Sequence, residues 1–190
     1  MKSTNIRASR GNAGMTAFLA GAAALLAAAP ADAAVTISTA ATSNMSCASG
    51  VCTPTSHVAV LNAAELQNLL ASGNVKVTTG AGHLASVTKN IVLDAPLGWA
   101  SAHGLTLDAY QSITIDKPVA DNGAGALTLT TNDGGSGGAL SFGPKGDVTF
   151  LGVSNSLTIN GKSYTLVNSV ASLATAIAGN ASGNYALANS

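Results

Sequence analysis

Residues Leu105 to Thr130 read LTLDAYQSITIDKPVADNGAGALTLT. Three triplets stand out in this stretch: Leu105-Thr106-Leu107, Ile113-Thr114-Ile115 and Leu127-Thr128-Leu129. Each sets a threonine between two branched apolar residues, the period-2 pattern of a strand with one face buried and one wet. Asp, Asn, Gly and Pro fill the intervals, and these residues favour turns. The same pattern runs outward on both sides. Val75-Lys76-Val77 and Ile91-Val92-Leu93 precede it. Leu140-Ser141-Phe142, Val148-Thr149-Phe150, Leu157-Thr158-Ile159 and Tyr164-Thr165-Leu166 follow. This succession predicts an all-β body.

Spacing separates two β architectures. Val92 to Thr114 and Thr106 to Thr128 are each 22 residues, and Thr128 to Thr149 is 21. A repeat of that length holds several short strands and their corners, which is one coil of a β-solenoid. Each coil leaves strand edges that the next coil pairs. The alternative is a β-sandwich, which builds a thicker core and uses Asn-Gly hairpins. Asn122-Gly123 and Asn160-Gly161 keep antiparallel hairpins open.

Two short helices flank the strands. Asn62 caps a run in which Glu65 stands three residues on, Leu66, Leu69 and Leu70 form one apolar face, and Gly73 marks the stop. Residues 168–179 repeat the order of cap, helix and glycine, and Gly183-Asn184-Tyr185-Ala186-Leu187 then resembles the strand at 75–77. The expected organisation is a leader at 1–33, a Ser/Thr/Ala-rich lead-in at 34–60, a solenoid body at 61–167 and the truncated start of a second module at 168–190.

The leader has the order of a secretory signal. Lys2, Arg7 and Arg10 precede an uncharged run from Met15 to Ala29, and Ala31 and Ala33 supply small residues at −3 and −1. Cleavage is expected between Ala33 and Ala34. The run is shorter than the ~20 residues of a spanning helix, so no membrane span is expected after cleavage. Export places the protein outside the cell or on the outer surface of a bacterium. In such a compartment Cys47 and Cys52, separated by Ala48-Ser49-Gly50-Val51, read as a disulfide closing a short loop. Four intervening residues do not match a C-x-x-C redox pair, and no second Cys/His pair follows at zinc-ligand distance.

Composition narrows the function classes. Of 190 residues only 8% are charged, 37 are alanine and 21 are glycine. Basic and acidic residues balance at 8 each, and residues 34–190 keep 5 Lys, no Arg and 7 Asp/Glu, a net −2. A nucleic-acid partner is not expected, because phosphate neutralisation needs a basic face. A charge-rich coiled coil is excluded as well.

The segment from Leu157 to Val167 (LTINGKSYTLV), the helix after it, and Gly183 to Ala188 (GNYALA) resemble filamentous-haemagglutinin-like bacterial exoproteins. The nearest group in style is the surface proteins that carry GLUG motifs, and residues 105–109 and 127–133 fit the same style. No GLUG repeat and no Asn-Pro-Asn motif occurs. The resemblance implies a right-handed parallel β-helix and a role in surface attachment. It transfers no site residue, because such adhesins bind through extended surfaces.

Candidate chemistry is sparse. Gly134-Gly135-Ser136-Gly137-Gly138 matches G-x-S-x-G, but a strand pattern follows it where a nucleophile elbow needs a helix. Gly80-Ala81-Gly82-His83-Leu84-Ala85 resembles a dinucleotide fingerprint without the following helix, and Asp94 comes too soon for its ribose-binding acid. His83 and His103, 20 residues apart, would stack in a solenoid yet lack a third metal ligand, and His57 has no partner. Asp94, Asp108, Asp116, Asp121, Asp133 and Asp147 read as turn residues. Two of them at the right separation would serve a glycosidase; calcium repeats of the G-G-x-G-x-D type are missing. Trp99 and Tyr110 could stack on a sugar, although a single Trp more often packs on its own strand. The reading is therefore an adhesin segment acting as a binding and spacer scaffold, with no catalytic, cofactor or metal residue. Its partners are a surface receptor or glycan and, through an uncharged C-terminal edge, a second β edge. The alternatives are a polysaccharide-active β-helix enzyme, lyase or glycosidase, and a purely structural exported fragment.

Overall fold

In the computed structural model, residues 33–80, 88–152 and 154–189 are described, and all fall in one compact unit. The alternating triplets form strands because their branched residues bury one face while threonine keeps the other wet. In chain order these are β1 (Ala34–Ser38), β2 (Met45–Ala48), β3 (Val51–Pro54), β4 (Ala59–Asn62), helix α1 (Ala63–Ser72) and β5 (Val75–Thr78). Then come β6 (Asn90–Leu93), β7 (Leu97–Trp99), β8 (Leu105–Asp108), β9 (Ile113–Ile115), β10 (Val119–Asp121) and β11 (Ala126–Thr130). The last are β12 (Leu140–Phe142), β13 (Val148–Phe150), β14 (Ser156–Ile159), β15 (Lys162–Val167), helix α2 (Val170–Gly179) and β16 (Tyr185–Leu187).

The strands fall into three sheets. The first runs β12-β9-β6-β1-β4, the second β13-β10-β7, and the third β16-β15-β14-β11-β8-β5-β3-β2. From β6 to β14 the chain visits them in a fixed order, first, second, third, three times over. Pairing between successive visits is parallel throughout: β6 with β9 and β9 with β12, β7 with β10 and β10 with β13, β8 with β11 and β11 with β14. Among the described residues, antiparallel pairing between strands occurs at β2–β3 and β14–β15, with one isolated antiparallel bridge between Ser43 and Val60. The fold is mostly β, with mixed pairing in the third sheet and two short helices.

In-register pairing turns the apolar positions of each triplet into continuous inward rows. Val75, Leu105, Leu127 and Leu157 make one row of the third sheet, and Val77, Leu107 and Leu129 the next, all buried. The first sheet contributes Val35, Ile91 and Ile113 beside Ile37, Leu93 and Ile115. Burying such a side chain contributes roughly 1.5–3 kcal/mol. Val92 and Thr114 are partners across a register of 22 residues, as are Thr106 and Thr128.

The third spacing is not a register. Thr128 pairs with Thr158 in the third sheet, while Thr149 pairs with Ala120 in the second. A V-T-F and an L-T-L triplet have the same alternation, so pattern alone does not say which sheet receives them. The glycine-rich loop after β11 lengthens this repeat, so that Leu127 and Leu157, 30 apart, are the partners.

Residues 34–60 are no lead-in. They supply four strands, and β1 lies inside the first sheet between β4 and β6, with Val35 and Ile37 fully buried. Residues 168–190 likewise do not stand apart: β16 pairs with β15, and the Ala188 carbonyl accepts from the Phe150 amide. The two Asn-Gly pairs diverge. Asn160 and Gly161, at φ 49° and 74°, make the tight hairpin turn between β14 and β15. Asn122-Gly123 is instead a corner between two sheets, where a Cβ on Gly123 would meet the Ser101 carbonyl at 2.3 Å.

Helix α1 lies between β4 and β5, where later repeats place a strand of the second sheet, and it packs on β7. The Asn62 side chain accepts from the Ala64 and Glu65 amides. Glu65 does not reach back to the cap directly. Thr42 bridges them, accepting from the Asn62 amide and donating to the Glu65 carboxylate. Leu66 and Leu70 are buried, with Leu69 half-buried. At the other end Gly73 is extended, and the Leu70 carbonyl accepts from Ser101 Oγ at 2.6 Å and faces His103 Nδ1 at 2.9 Å.

Leu107 sits at the centre of an inward row, so Leu107→Ala should lower unfolding free energy by about 2–5 kcal/mol. Thr106→Ala, one residue away on the outer face, should stay within about 0.5 kcal/mol. Urea titration followed by circular dichroism checks both.

Candidate functional site

The outer face of the third sheet is the most regular surface of the molecule. Because the sheet is in register, Lys76, Thr106, Thr128 and Thr158 form one outward row, and Thr78, Asp108 and Thr130 a second. Neighbouring strands lie ~4.8 Å apart, so hydroxyls recur at that interval. Beside the first row, Asn74, Gly104, Ala126 and Ser156 floor a groove of about 310 Å³. No charged residue lines it. From Thr106 to Thr158, the first row and this groove thus offer an uncharged strip of hydroxyls and methyl groups.

A charged cluster edges this strip. Lys76 forms an ion pair with Asp108 Oδ2, and Asp108 is only 6% exposed. Its other oxygen, Oδ1, has no hydrogen-bond donor. Asp133 lies in the loop after β11, tied by its amide to the Ala109 carbonyl at 3.1 Å. The carboxyl of Asp133 is held above its ordinary range, first by a hydrogen bond from its protonated form to Asp108 and then by the like charge of Asp108. Burial adds to the rise and Lys76 opposes it.

The remaining carboxylates scatter. Asp94 and Asp116 occupy the same corner of the first sheet on adjacent repeats, where their amides donate to the Ile37 and Leu93 carbonyls at 2.8 and 2.9 Å. They border a cleft of about 350 Å³ with Lys117, Pro144 and Lys145, and Lys117 Nζ lies 3.5 Å from Asp94 Oδ1. Asp147 is exposed and accepts from the Thr149 hydroxyl. Asp121 departs from the turn reading. It ends β10 on the inward side, between Trp99 and Phe150 in register, and is 1% exposed. Its Oδ1 accepts from the Gly123 amide at 3.1 Å, while Oδ2 has no partner. No signal in the alternation marks it, because Val119-Ala120-Asp121 lacks a second apolar residue.

Other sequence candidates have structural roles. Cys47 and Cys52 face each other across the β2–β3 hairpin and are disulfide-bonded, with Cys52 fully buried. Trp99 is buried and its Nε1 donates to the His103 carbonyl at 3.0 Å. His57 is exposed, and His83, with residues 81–85 of the fingerprint-like segment, lies outside the described residues. The Gly134–Gly138 run is a packed loop followed by β12: a Cβ on Gly135 would meet the Tyr110 carbonyl at 2.3 Å, and one on Gly138 the Gln111 carbonyl at 2.1 Å. Tyr110 is half-buried, its ring set against Gly134 and Gly135. The signal segment also lies outside the described residues, save Ala33 and the buried Ala34 of β1. Among the described residues no helix is long and apolar enough to cross a membrane, and no group of three or more His, Cys, Asp or Glu converges.

The three sheets end on β12, β13 and β16. Most of the exposed large hydrophobics lie in this part of the chain: Phe142, Leu151, Val170, Ile177 and Leu187. A cavity of about 530 Å³ opens there between Phe150, Asn155, Tyr164 and Ala188. Helix α2 has no buried residue; the Tyr185 hydroxyl lies 2.9 Å from the Ala176 carbonyl.

No protein-family model, no curated protein and no solved structure matches the chain.

The Asp108–Asp133 pair sets a pH signature. A carboxyl raised in the folded state binds protons there more tightly than in the unfolded chain, so stability falls as pH climbs from the ordinary range near 3.8 through the folded value. Asp133→Asn should remove this slope and raise stability at pH 7 by less than about 1 kcal/mol, since the carboxyl is exposed and screened. Thermal unfolding of both proteins between about pH 4 and 7 measures it.

Proposed function

We propose that this chain is an exported β-solenoid segment of a bacterial surface adhesin, working as a binding and spacer scaffold. The observation that carries the reading is the in-register threonine face of the third sheet. Successive parallel strands of each sheet, visited in constant order, support a right-handed parallel β-helix; a hairpin-connected sandwich would pair its neighbours antiparallel. Parallel, in-register growth stacks the repeats, and the outer face repeats the Thr106, Thr128 and Thr158 hydroxyls from strand to strand. Such a surface suits broad, shallow attachment to a receptor or glycan, where many weak contacts act together. The basic leader with small residues at Ala31 and Ala33 and the Cys47–Cys52 disulfide support export. A net −2 without arginine after residue 33 speaks against a nucleic-acid partner.

A polysaccharide-active enzyme has one observation in its favour, the stacking of Asp94 and Asp116 on adjacent repeats at one corner. Against it, Asp94 is half engaged with Lys117 and stands on an open surface. Reducing-end release from a polysaccharide panel, abolished by Asp116→Asn, would favour that reading.

The test of the scaffold is adhesion. Beads coated with the exported chain should bind epithelial cells well above albumin-coated beads. Thr106→Glu/Thr128→Glu, with an unchanged circular dichroism spectrum, should lose at least about tenfold, because it places like charges one strand apart on the binding face. Equal adhesion by the variant, or none by the parent, removes the claim.

A second partner of the scaffold is another β edge. β12, β13 and β16 carry no charged side chain, and none follows Lys162, so nothing there repels another strand. Self-association in sedimentation velocity should weaken with Leu187→Lys. Ala188 is 3% exposed, so a lysine there would disrupt the fold instead.

A further inference from the structure

We propose that Asn122 deamidates in the folded protein by self-catalysis, with the Gly123 nitrogen as nucleophile and Asp121 as general base. The site stands on the geometry of one corner and is independent of the adhesin reading. Asp121, Asn122 and Gly123 are consecutive, and they lead from the end of β10 in the second sheet towards β11 in the third. Asp121 is 1% exposed, and its Oδ1 accepts from the Gly123 amide at 3.1 Å. That separation is within the reach a general base needs. The other oxygen, Oδ2, is buried without a hydrogen-bond partner, so the Gly123 amide is the donor this carboxylate holds. The Asn122 side chain is exposed, and the side-chain hydrogen bonds at this corner belong to its neighbours, Asp121 and Asn155. Gly123 carries no Cβ to shield its nitrogen from the Asn122 amide carbon.

The reaction balances with water as its only co-reactant. The Gly123 nitrogen attacks Asn122 Cγ, and its proton passes through Asp121 Oδ1 to the departing Nδ2. The Cγ–Nδ2 bond breaks, ammonia leaves, and a cyclic imide closes between the two residues. Water then opens the imide at either carbonyl, giving aspartate or isoaspartate, the latter with the main chain routed through the side chain. Exchange of the amide nitrogen for oxygen raises the mass by about 1 Da. Isoaspartate adds a methylene to the main chain where there is no slack. Gly123 is stacked between two other repeats: a Cβ on it would meet the Ser101 carbonyl at 2.3 Å, and one on Gly152 would meet the Gly123 carbonyl at 1.5 Å. Deamidation at this corner would therefore loosen three successive repeats.

The second Asn-Gly pair is the internal control. Asn160 Oδ1 accepts from the Thr131 amide at 2.8 Å and Asn160 Nδ2 donates to Thr131 Oγ1 at 3.1 Å, so both ends of its amide are tied. The residue before it is Ile159, which offers no base.

The test incubates the full chain at neutral pH, folded or in guanidinium chloride, and follows both asparagines by peptide mapping and mass spectrometry. The folded protein should convert Asn122 at least about tenfold faster than Asn160, and faster than the unfolded chain converts Asn122. Packing without a base would slow Asn122 on folding instead. Asp121→Asn keeps an acceptor for the Gly123 amide but removes the base. It should slow Asn122 at least about tenfold in the folded chain and leave Asn160 unchanged. Circular dichroism confirms that the variant is folded, and the comparison of folded with unfolded parent stands without it. Equal conversion of the two asparagines in the folded chain, or an Asn122 rate no higher folded than unfolded, overturns the proposal. Undiminished conversion of Asn122 in folded Asp121→Asn overturns it too.

Discussion

Parallel pairing in register is the constraint on which the rest of this structure depends. A strand of three or four residues cannot satisfy its backbone donors and acceptors alone, and from β6 to β14 each strand finds them on the corresponding strand of an adjacent repeat. A parallel partner cannot be reached by a tight turn, so the chain must travel through the other sheets before returning. That journey fixes the repeat length. It also fixes the side chains, because a slip of one residue would move every leucine and isoleucine of a row from the interior to the outside. Leu105, Leu127 and Leu157 therefore stack on one another, and so do the threonines beside them.

The corners obey the same geometry under tighter limits. Where one repeat lies directly on the last, a side chain at the turn strikes the carbonyl beneath it, and glycine is the residue that fits. Gly146 and Gly152 show the limit: a Cβ would fall 1.7 Å from the Ile115 carbonyl oxygen and 1.5 Å from that of Gly123. Glycine abundance, which in isolation resembles flexibility, here reports close approach of backbone to backbone. Helix α1 solves a different problem at the other end. It covers β7 in the second sheet, so the first strand of that sheet does not stand open, and its own last turn is satisfied by Ser101 and His103 from a later repeat.

Much of this was legible from residues alone. The nine alternating triplets from 75 to 166 all lie within strands, Asn62 caps its helix at the expected place, and the cysteines pair. Strands without the pattern stayed hidden. Leu97-Gly98-Trp99 and Val119-Ala120-Asp121 have small residues at the outer position, where the second sheet presents little beyond Gly98, Ala120 and Thr149 to solvent. Residues 34–60 looked like a lead-in because Ser, Thr and Ala dilute their alternation, yet Val35 and Ile37 are as buried as any residue in the chain. Of the acidic residues, sequence marked all six aspartates as equivalent turn formers. Burial alone separates Asp108 and Asp121 from the exposed Asp94 and Asp147.

Local chemistry by itself determined which residues become strands, where helices begin, which cysteines meet and that the surface carries little charge, since each depends on alternation, capping or composition within a few residues. The tertiary structure decided which strands are partners, because identical triplets compete for every sheet and only the length of the intervening loop chooses among them. It placed β1 between β4 and β6, out of chain order. It brought Lys76, Asp108 and Asp133 together from three repeats across 57 residues of sequence. Contacts of that range are set by the register of the whole sheet, to which each local segment contributes only one strand.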